Sequence, residues 1–469
     1  MTANEKSSVE FERLINGEQI QQDLDLGADA SPEAAAAVLV KARELKGLNA
    51  SEAAILLQCR DAAVTEEMFQ TARKVKEEIY GKRLVLFAPL YISNLCHNDC
   101  LYCAFRVKNK EIKRRALSQA EIRDEILLLE RMGHKRVLVV AGESYPEEGL
   151  EYIFKTIATI YATKEGRGEI RRVNANIAPL SLPEFRDLKA TGIGTYQLFQ
   201  ETYHPTTYKT MHLSGTKRNY GWRISAIGRA FEAGINDVGI GVLFGLYDFR
   251  WEVLAMLQHI RLLERQYGMG PHTISVPRLE PAAGSEVASN PPYPVSDLDF
   301  KKIVAILRLA VPYTGIIMST RETAKMRAET FALGVSQISA GSRTDPGGYS
   351  AGDATPQFQV GDHRCLDEVI YDVVGMGYIP SFCTGCYRLG RTGQDFMDLA
   401  KPGLIKRFCL RNAVLTFKEY LEDYASPETK TAGLAAIEEN LKDVENEELR
   451  QEVRERMARI EKGERDLYF

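Results

Sequence analysis

Six of the eight cysteines in the 469-residue chain fall into two groups of three. The first group, Cys96-His-Asn-Asp-Cys100-Leu-Tyr-Cys103, has the spacing CxxxCxxC. The second, Cys383-Thr-Gly-Cys386 followed by 22 residues and then Cys409, is CxxC-x22-C. Eight cysteines are too few for a disulfide scaffold at this length, so the groups point to metal ligation or catalysis. Thiolates select zinc, Cu(I) or iron–sulfur clusters. A cubane cluster takes one ligand per iron, so three thiolates leave one iron open to a non-protein ligand. Zinc is the alternative at both places. It would be completed by His97 in the first group, awkwardly next to Cys96, and by Cys365 or His363 in the second, since no histidine follows His363.

The first group comes directly after a β-branched, apolar run, and that run opens a rhythm. Candidate strands are read at Leu84 to Ser93, Arg136 to Ala141, Arg172 to Ala178, Thr195 to Gln200, Asp237 to Leu243, Thr273 to Pro277, Gly315 to Ser319 and Val335 to Ser339. Amphipathic helical segments lie between them, the first with a capping box at Ser118 and Glu121. Eight strands with seven helices predict an α/β fold, a (β/α)8 TIM-type barrel; a doubly wound open sheet is the alternative. Polar signatures follow the strands, where barrel enzymes place their sites. They include Gly142-Glu143-Ser144, Asn174 with Asn176, Gln200-Glu201-Thr202, Ser319-Thr320-Arg321-Glu322 and Ser339 to Arg343.

Three segments are expected: an N-terminal helical extension (1–82), the barrel (83–345) and a mainly helical C-terminal domain (346–469). In the extension, Thr65 is a plausible N-cap ahead of Glu66 and Glu67. Asp345 to Gly361, rich in Gly, Pro and Ser, reads as a loop, and the charged last 40 residues as a surface helical pair without chemistry. The composition, 45% apolar and 26% charged with net charge -4, is that of a soluble globular protein and gives no footprint for nucleic acid. No run is apolar enough for a membrane span, and the first residues lack a signal-peptide core, so a cytoplasmic location is expected. The basic run Lys108 to Arg115 reads as solvated.

CxxxCxxC with an aromatic residue (Tyr102) before its last cysteine, after the first strand of a β/α barrel, resembles the signature of radical S-adenosylmethionine enzymes. The resemblance implies a 4Fe–4S cluster on Cys96, Cys100 and Cys103, whose open iron chelates S-adenosylmethionine. Cleavage of that cofactor gives a 5′-deoxyadenosyl radical. Ala141-Gly142-Glu143 is similar to the family's GGE motif, with Ala in place of the first Gly. The resemblance places Tyr102, Gly142, Glu143, Ser144, Glu201, Arg223 and Leu243 around the cofactor.

Gln200-Glu-Thr-Tyr-His204, Ser319-Thr-Arg-Glu322 and the stretch Ser339 to Tyr349 resemble the aromatic amino acid lyases. These include the thiamine-pathway tyrosine lyase, similar over about residues 84–350, and the FeFe-hydrogenase maturase (HydG) family, similar over nearly the whole chain. Within that branch Arg321, beside Ser319, would clamp the tyrosine carboxylate through its bidentate fork; a structural ion pair with Glu322 or a neighbour is the alternative. The resemblance also implies an auxiliary 4Fe–4S cluster on Cys383, Cys386 and Cys409. A fifth, labile iron would be held by free cysteine and a histidine, for which His272, ahead of strand six, is the candidate. The expected function is a lyase that cleaves tyrosine to p-cresol and dehydroglycine, the source of CO and cyanide bound to iron. Expected partners are tyrosine, S-adenosylmethionine, a flavodoxin or ferredoxin reductant and other hydrogenase maturation proteins. A thiamine-pathway lyase and a non-enzymatic iron–sulfur carrier are the rival readings.

Overall fold

The computed structural model describes residues 14–350 and 355–469; part of the N-terminal segment and of the Asp345 to Gly361 loop therefore lies outside the described residues. Eight parallel strands close on themselves: β1 (Arg83–Ser93), β2 (Arg136–Ala141), β3 (Arg172–Asn176), β4 (Tyr196–Glu201), β5 (Val238–Val242), β6 (Thr273–Ser275), β7 (Gly315–Met318) and β8 (Val335–Ser339). Each pairs with its successor, and β8 returns to β1 with Val85 opposite Gln337. That closure excludes the open doubly wound sheet and confirms the barrel.

Strand periodicity sorts the side chains. On β1 the even positions Leu84, Leu86, Ala88, Leu90 and Ile92 join the outer core against the helices, while Phe87, Pro89 and Tyr91 line the interior. β2 follows the same rule, with Val137 and Val139 outward and Leu138 and Val140 inward. Phe87, Leu138 and Ile317 meet inside the barrel. Between β1 and β2 the helix Gln119–Arg131 starts at the expected capping box of Ser118 and Glu121.

The N-terminal extension is helical, over Gly17–Ala28, Pro32–Ala42, Ala50–Gln58 and Ala62–Tyr80. The last of these begins three residues before the expected cap. Asp61 accepts from the Val64 N–H, and Thr65 sits inside the helix with its hydroxyl donating to the Asp61 carbonyl. A carboxylate at the N-cap outcompetes a threonine because it also complements the helix dipole.

The C-terminal region contributes a strand that the sequence did not announce. β9 (Ile379–Ser381) adds in parallel to the first residues of β1, Arg83 opposite Ile379. β1 is long enough, at 11 residues, to pair with β9 and β8 near its start and with β2 beyond. The helix Ile405–Asp423 then packs on β9 and on the helix Ala62–Tyr80. The final helices, Pro427–Leu441 and Glu447–Glu461, are present as expected. The residues after them are not surface filler: Phe469 exchanges hydrogen bonds with Asn412, and Arg456 lies 3.6 Å over its ring.

Candidate active site

A cavity of about 190 Å3 opens at the C-terminal ends of the strands and runs into the barrel. It is lined by Cys96, Cys100 and Cys103 on one side and by Ser319 and Arg321 on the other, with Tyr102, Gly142, Glu143, Glu201, Arg223 and Leu243 between. The sequence-predicted residues of the upper site therefore converge, with one exception. Ser144 is not part of this lining, and its backbone N–H is committed to the Leu95 carbonyl (3.2 Å).

The cysteine loop is held by neighbours that sequence reasoning did not single out. Arg114 reaches back to donate to the carbonyls of Asn94 (2.8 Å), Phe105 (2.7 Å), Arg106 and Asn109 (3.1 Å). This corrects the reading of 108–115 as merely solvated: one of its arginines ties the loop together, and no short motif marks it. Asn98, within the loop, donates to Glu143 (2.8 Å) and accepts from the Lys217 N–H (3.0 Å). Gly142 explains its own identity, because a Cβ there would lie 2.2 Å from the Leu95 carbonyl oxygen.

The charges are paired in a chain. Arg223 donates to Glu143 (2.9 Å) and to the Phe199 carbonyl (2.7 Å), and Lys217 donates to Glu201 (2.6 Å). Burial opposes ionisation of Glu143, yet Arg223 and Lys217 hold its carboxyl below the ordinary range. Glu201 has φ +72°, an uncommon conformation for a non-glycine residue, at a register shift where β4 meets β5. Such local strain collects at functional sites.

Arg321 resolves one alternative. Glu322 turns away and pairs with Arg278 (2.8 Å), so the alternative ion pair between Arg321 and Glu322 is absent. The Arg321 guanidinium instead lies 3.2 Å over the Phe358 ring, and no carboxylate among the described residues pairs with it.

The three lower cysteines meet at the opposite mouth. Cys383 follows β9, Cys386 lies in the turn Gly385–Arg388, and Cys409 is on the helix Ile405–Asp423. All three act electrostatically on Arg83, at the start of β1. The Cys383 carbonyl accepts from Arg136 (2.9 Å). His272 faces the same region, stacked 3.9 Å from Phe396 and 3.6 Å from Asp237. Sequence position alone put His272 at this face, and the fold brings the tail to it.

Comparison with known proteins agrees in extent and in detail. The Radical SAM superfamily model matches residues 90–260, and the Biotin and Thiamin Synthesis associated domain matches 275–379. A crystal structure of HydG, described as a maturase of the [FeFe]-hydrogenase, is 52% identical and superposes with a TM-score of 0.95, covering 97% of this chain and 100% of that one. The chain belongs to the HydG family. HydG from Carboxydothermus hydrogenoformans is 42% identical, with a TM-score of 0.84 over 96% of this chain and 99% of its own. The 2-iminoacetate synthase of Escherichia coli (strain K12) is 30% identical over 398 residues, 83% of this chain and 94% of that protein. That match is longer than the expected stretch of 84–350.

As a radical S-adenosylmethionine enzyme of the HydG family, the chain works with a 4Fe–4S cluster and S-adenosylmethionine. The donor set of the upper cavity fits such a group. Burial pushes the Cys96 thiol up to about 11 and raises Cys100 and Cys103 as well, so these thiols stay protonated until a metal takes the proton's place. Burial likewise raises Cys383 and pushes Cys386 up to about 12. Buried polar atoms without hydrogen-bond partners collect beside them, at Arg83, Arg136 and His272. Among the described residues no helix is long and apolar enough to cross a membrane.

Proposed function

We propose that this HydG-family chain cleaves the Cα–Cβ bond of tyrosine to p-cresol and dehydroglycine, from which CO and cyanide are delivered to iron for the FeFe-hydrogenase site. The observation that carries this reading is the Arg321 guanidinium, half-buried in the lining of the cavity that holds three cysteines and, among the described residues, left without a carboxylate partner. A planar guanidinium there binds an amino acid carboxylate through two parallel hydrogen bonds. Burial disfavours its charge, and an incoming carboxylate restores it.

When bound on Cys96, Cys100 and Cys103, the cluster with S-adenosylmethionine supplies a carbon radical. The rest falls to the chain. Glu143, through its ties to Asn98 and Arg223, fixes the loop edge where the methionine end is held. Glu201, steadied by Lys217, offers acceptors to a ribose, and Leu243 offers an apolar surface to the adenine. Tyr102 is locked by its hydrogen bond to His212 (2.8 Å) and seals the loop. Ser319 accepts from the Arg321 N–H (3.3 Å) and so sets the clamp's backbone. Phe87, Tyr91, Phe105, Leu138 and Ile317 exclude water from the space between. At the lower mouth, Cys383, Cys386 and Cys409 would hold the auxiliary cluster, with His272 toward the labile iron and its free cysteine. Tyrosine, S-adenosylmethionine, a flavodoxin- or ferredoxin-type reductant and other maturation proteins are the partners this reading requires.

The test is anaerobic turnover with dithionite, S-adenosylmethionine and tyrosine, comparing the unmodified chain with Arg321→Lys. The unmodified protein should yield 5′-deoxyadenosine, p-cresol and an iron carbonyl species. Arg321→Lys should raise the KM for tyrosine about tenfold or more while cofactor cleavage persists, because lysine keeps the charge and loses the fork. No p-cresol from the unmodified protein sinks the lyase reading. Dehydroglycine without any carbonyl moves the assignment to the thiamine-pathway type.

A further inference from the structure

The two segments that cover the outer side of the upper cysteine loop are strongly basic. Residues 104–115 hold six lysines and arginines against one carboxylate, Glu111, and residues 205–219 hold three against none. The whole chain carries a net charge of -4, so this excess is local. The fold joins both segments to the loop. Cys100 and His212 form an antiparallel bridge, the Asp99 N–H donates to the Ser214 carbonyl (3.1 Å), and the Leu213 N–H donates to the Asp99 carbonyl (3.0 Å). From the other segment, the Val107 N–H donates to the Asn98 carbonyl (2.8 Å).

Part of this charge is used inside the fold. Arg114 holds backbone carbonyls, Lys217 pairs with Glu201, and Arg115 pairs with Glu121. Arg106 (2.7 Å) and Lys108 (3.1 Å) share the buried Asp99, so one positive charge of that trio is uncompensated, and the Lys108 side chain is 67% exposed. Lys110, Lys113, Lys209 and Arg218 are exposed and form no ion pair among the described residues. A surface of one sign repels itself, at a cost to the fold, and its field draws in an acidic partner.

Among the charges lie two exposed apolar side chains, Val107 and Leu213. Arg218 reaches the Leu213 carbonyl (3.3 Å), and exposed His97, next to Cys96, bonds to Thr216 (2.8 Å). Apolar contacts beside a charged rim are the anatomy of a protein interface. Neither Val107 nor Leu213 lines the cavity, so this face stays open while the cavity is filled. Electron transfer weakens steeply with distance, and each of these two residues is one backbone hydrogen bond from the loop that carries the three cysteines.

We propose that this face, with Lys108, Lys110 and Arg218 beside Val107 and Leu213, docks an acidic flavodoxin-type protein that delivers the electron to the upper cluster. This rests on the reading that such a carrier is the reductant. The dimethylbenzene edge of a flavin is flat and apolar and suits the Val107 and Leu213 pair, while carboxylates around it suit the lysines and the arginine. The carrier's anionic flavin hydroquinone loses one electron to the oxidised cluster and becomes the neutral flavin radical, so no proton and no bond changes hands. Electron carriers dock over small areas, where steering by charge counts most.

The experiment uses the full chain reconstituted with iron and sulfide, without tyrosine, and an acidic flavodoxin as the probe. Calorimetry gives the Kd of the oxidised flavodoxin, and stopped-flow absorbance gives the rate at which its hydroquinone reduces the cluster. Binding should weaken steeply between about 50 and 300 mM salt. The charge reversal Lys110→Glu, Arg218→Glu should weaken binding and slow this reduction about tenfold or more, while reduction by dithionite is unchanged. Leu213→Ser should weaken binding about threefold or more and leave its salt dependence as it was. Reversing two exposed lysines elsewhere, Lys46→Glu with Lys325→Glu, should change binding far less. An equal loss there would mean that bulk charge alone acts, and it overturns the site. The proposal also falls if the flavodoxin does not bind, if the Lys110→Glu, Arg218→Glu protein binds it as the unmodified chain does, or if only an acidic ferredoxin shows the dependence. Because tyrosine is absent, this outcome is independent of whether p-cresol forms.

Discussion

A methyl group at residue 142 would have to displace the Leu95 carbonyl, since the would-be Cβ lies 2.2 Å from its oxygen. The Gly142 N–H also donates to the Ser93 carbonyl (2.9 Å), so the strand end and the cysteine loop are fixed to each other and neither yields alone. Gly142→Ala should therefore destabilise the fold by about 1–3 kcal/mol and lower the iron retained per chain. Thermal denaturation with iron analysis checks this, and an unchanged melting point with full iron would contradict it. Much of the upper site was legible because it is local: CxxxCxxC lies within eight residues, and Glu143, Glu201 and Arg321 each lie at or just past the end of a strand. Lys217, Asn98 and Arg114 were not, because their roles depend on contacts that only folding creates. One signal was available and unused: arginine at the first position of three consecutive strands, on the face where apolar residues were expected.

Among the elements, the helix Ala62–Tyr80 carries an unusual burden. It packs against the barrel helix Asp297–Ala310 and the tail helix Ile405–Asp423, and its Lys76 is buried. Among the described residues the Lys76 ammonium has no hydrogen-bond partner, and it sits 4.5 Å above the Tyr378 ring. Burial pushes its pKa down to about 7. Between that value and the ordinary lysine range the unfolded chain binds a proton that the folded chain does not. Stability therefore rises with pH across this window, and below it the full cost of burying the charge applies. Lys76→Met, close in shape, should stabilise the protein most near neutral pH. The gain should shrink by about 1.4 kcal/mol per pH unit on the alkaline side. Urea unfolding at neutral pH and at about pH 9.5 measures it, and an equal gain at both would refute it. Barrel strands and their helices were readable from periodicity, which survives wherever one face is buried. β9 was not, since a three-residue strand has no period to show.

In the whole molecule the two three-cysteine groups occupy opposite mouths of one barrel, and the tail is part of its wall. A division of the chemistry between the two mouths is best examined by changing sulfur atoms rather than removing the tail, because β9 and the helix Ile405–Asp423 complete the sheet and the core. The double variant Cys383→Ala, Cys386→Ala should still form 5′-deoxyadenosine and p-cresol, while the iron carbonyl–cyanide product disappears. Product analysis by chromatography and infrared spectroscopy distinguishes the steps, and an unaltered carbonyl signal would make the tail purely structural. The pairing of Arg83 with Ile379 also has a consequence in time. Residues 296 positions apart cannot meet until the ribosome has made both, roughly 15–60 s after the first emerges at ordinary synthesis rates. Non-local strand closure is slow in any case. The lower mouth, whose walls come from both ends of that interval, takes shape last. Metal delivery to it is thus a late event in the life of each chain, and an interrupted translation product would carry the upper cysteines with no finished chamber beneath them.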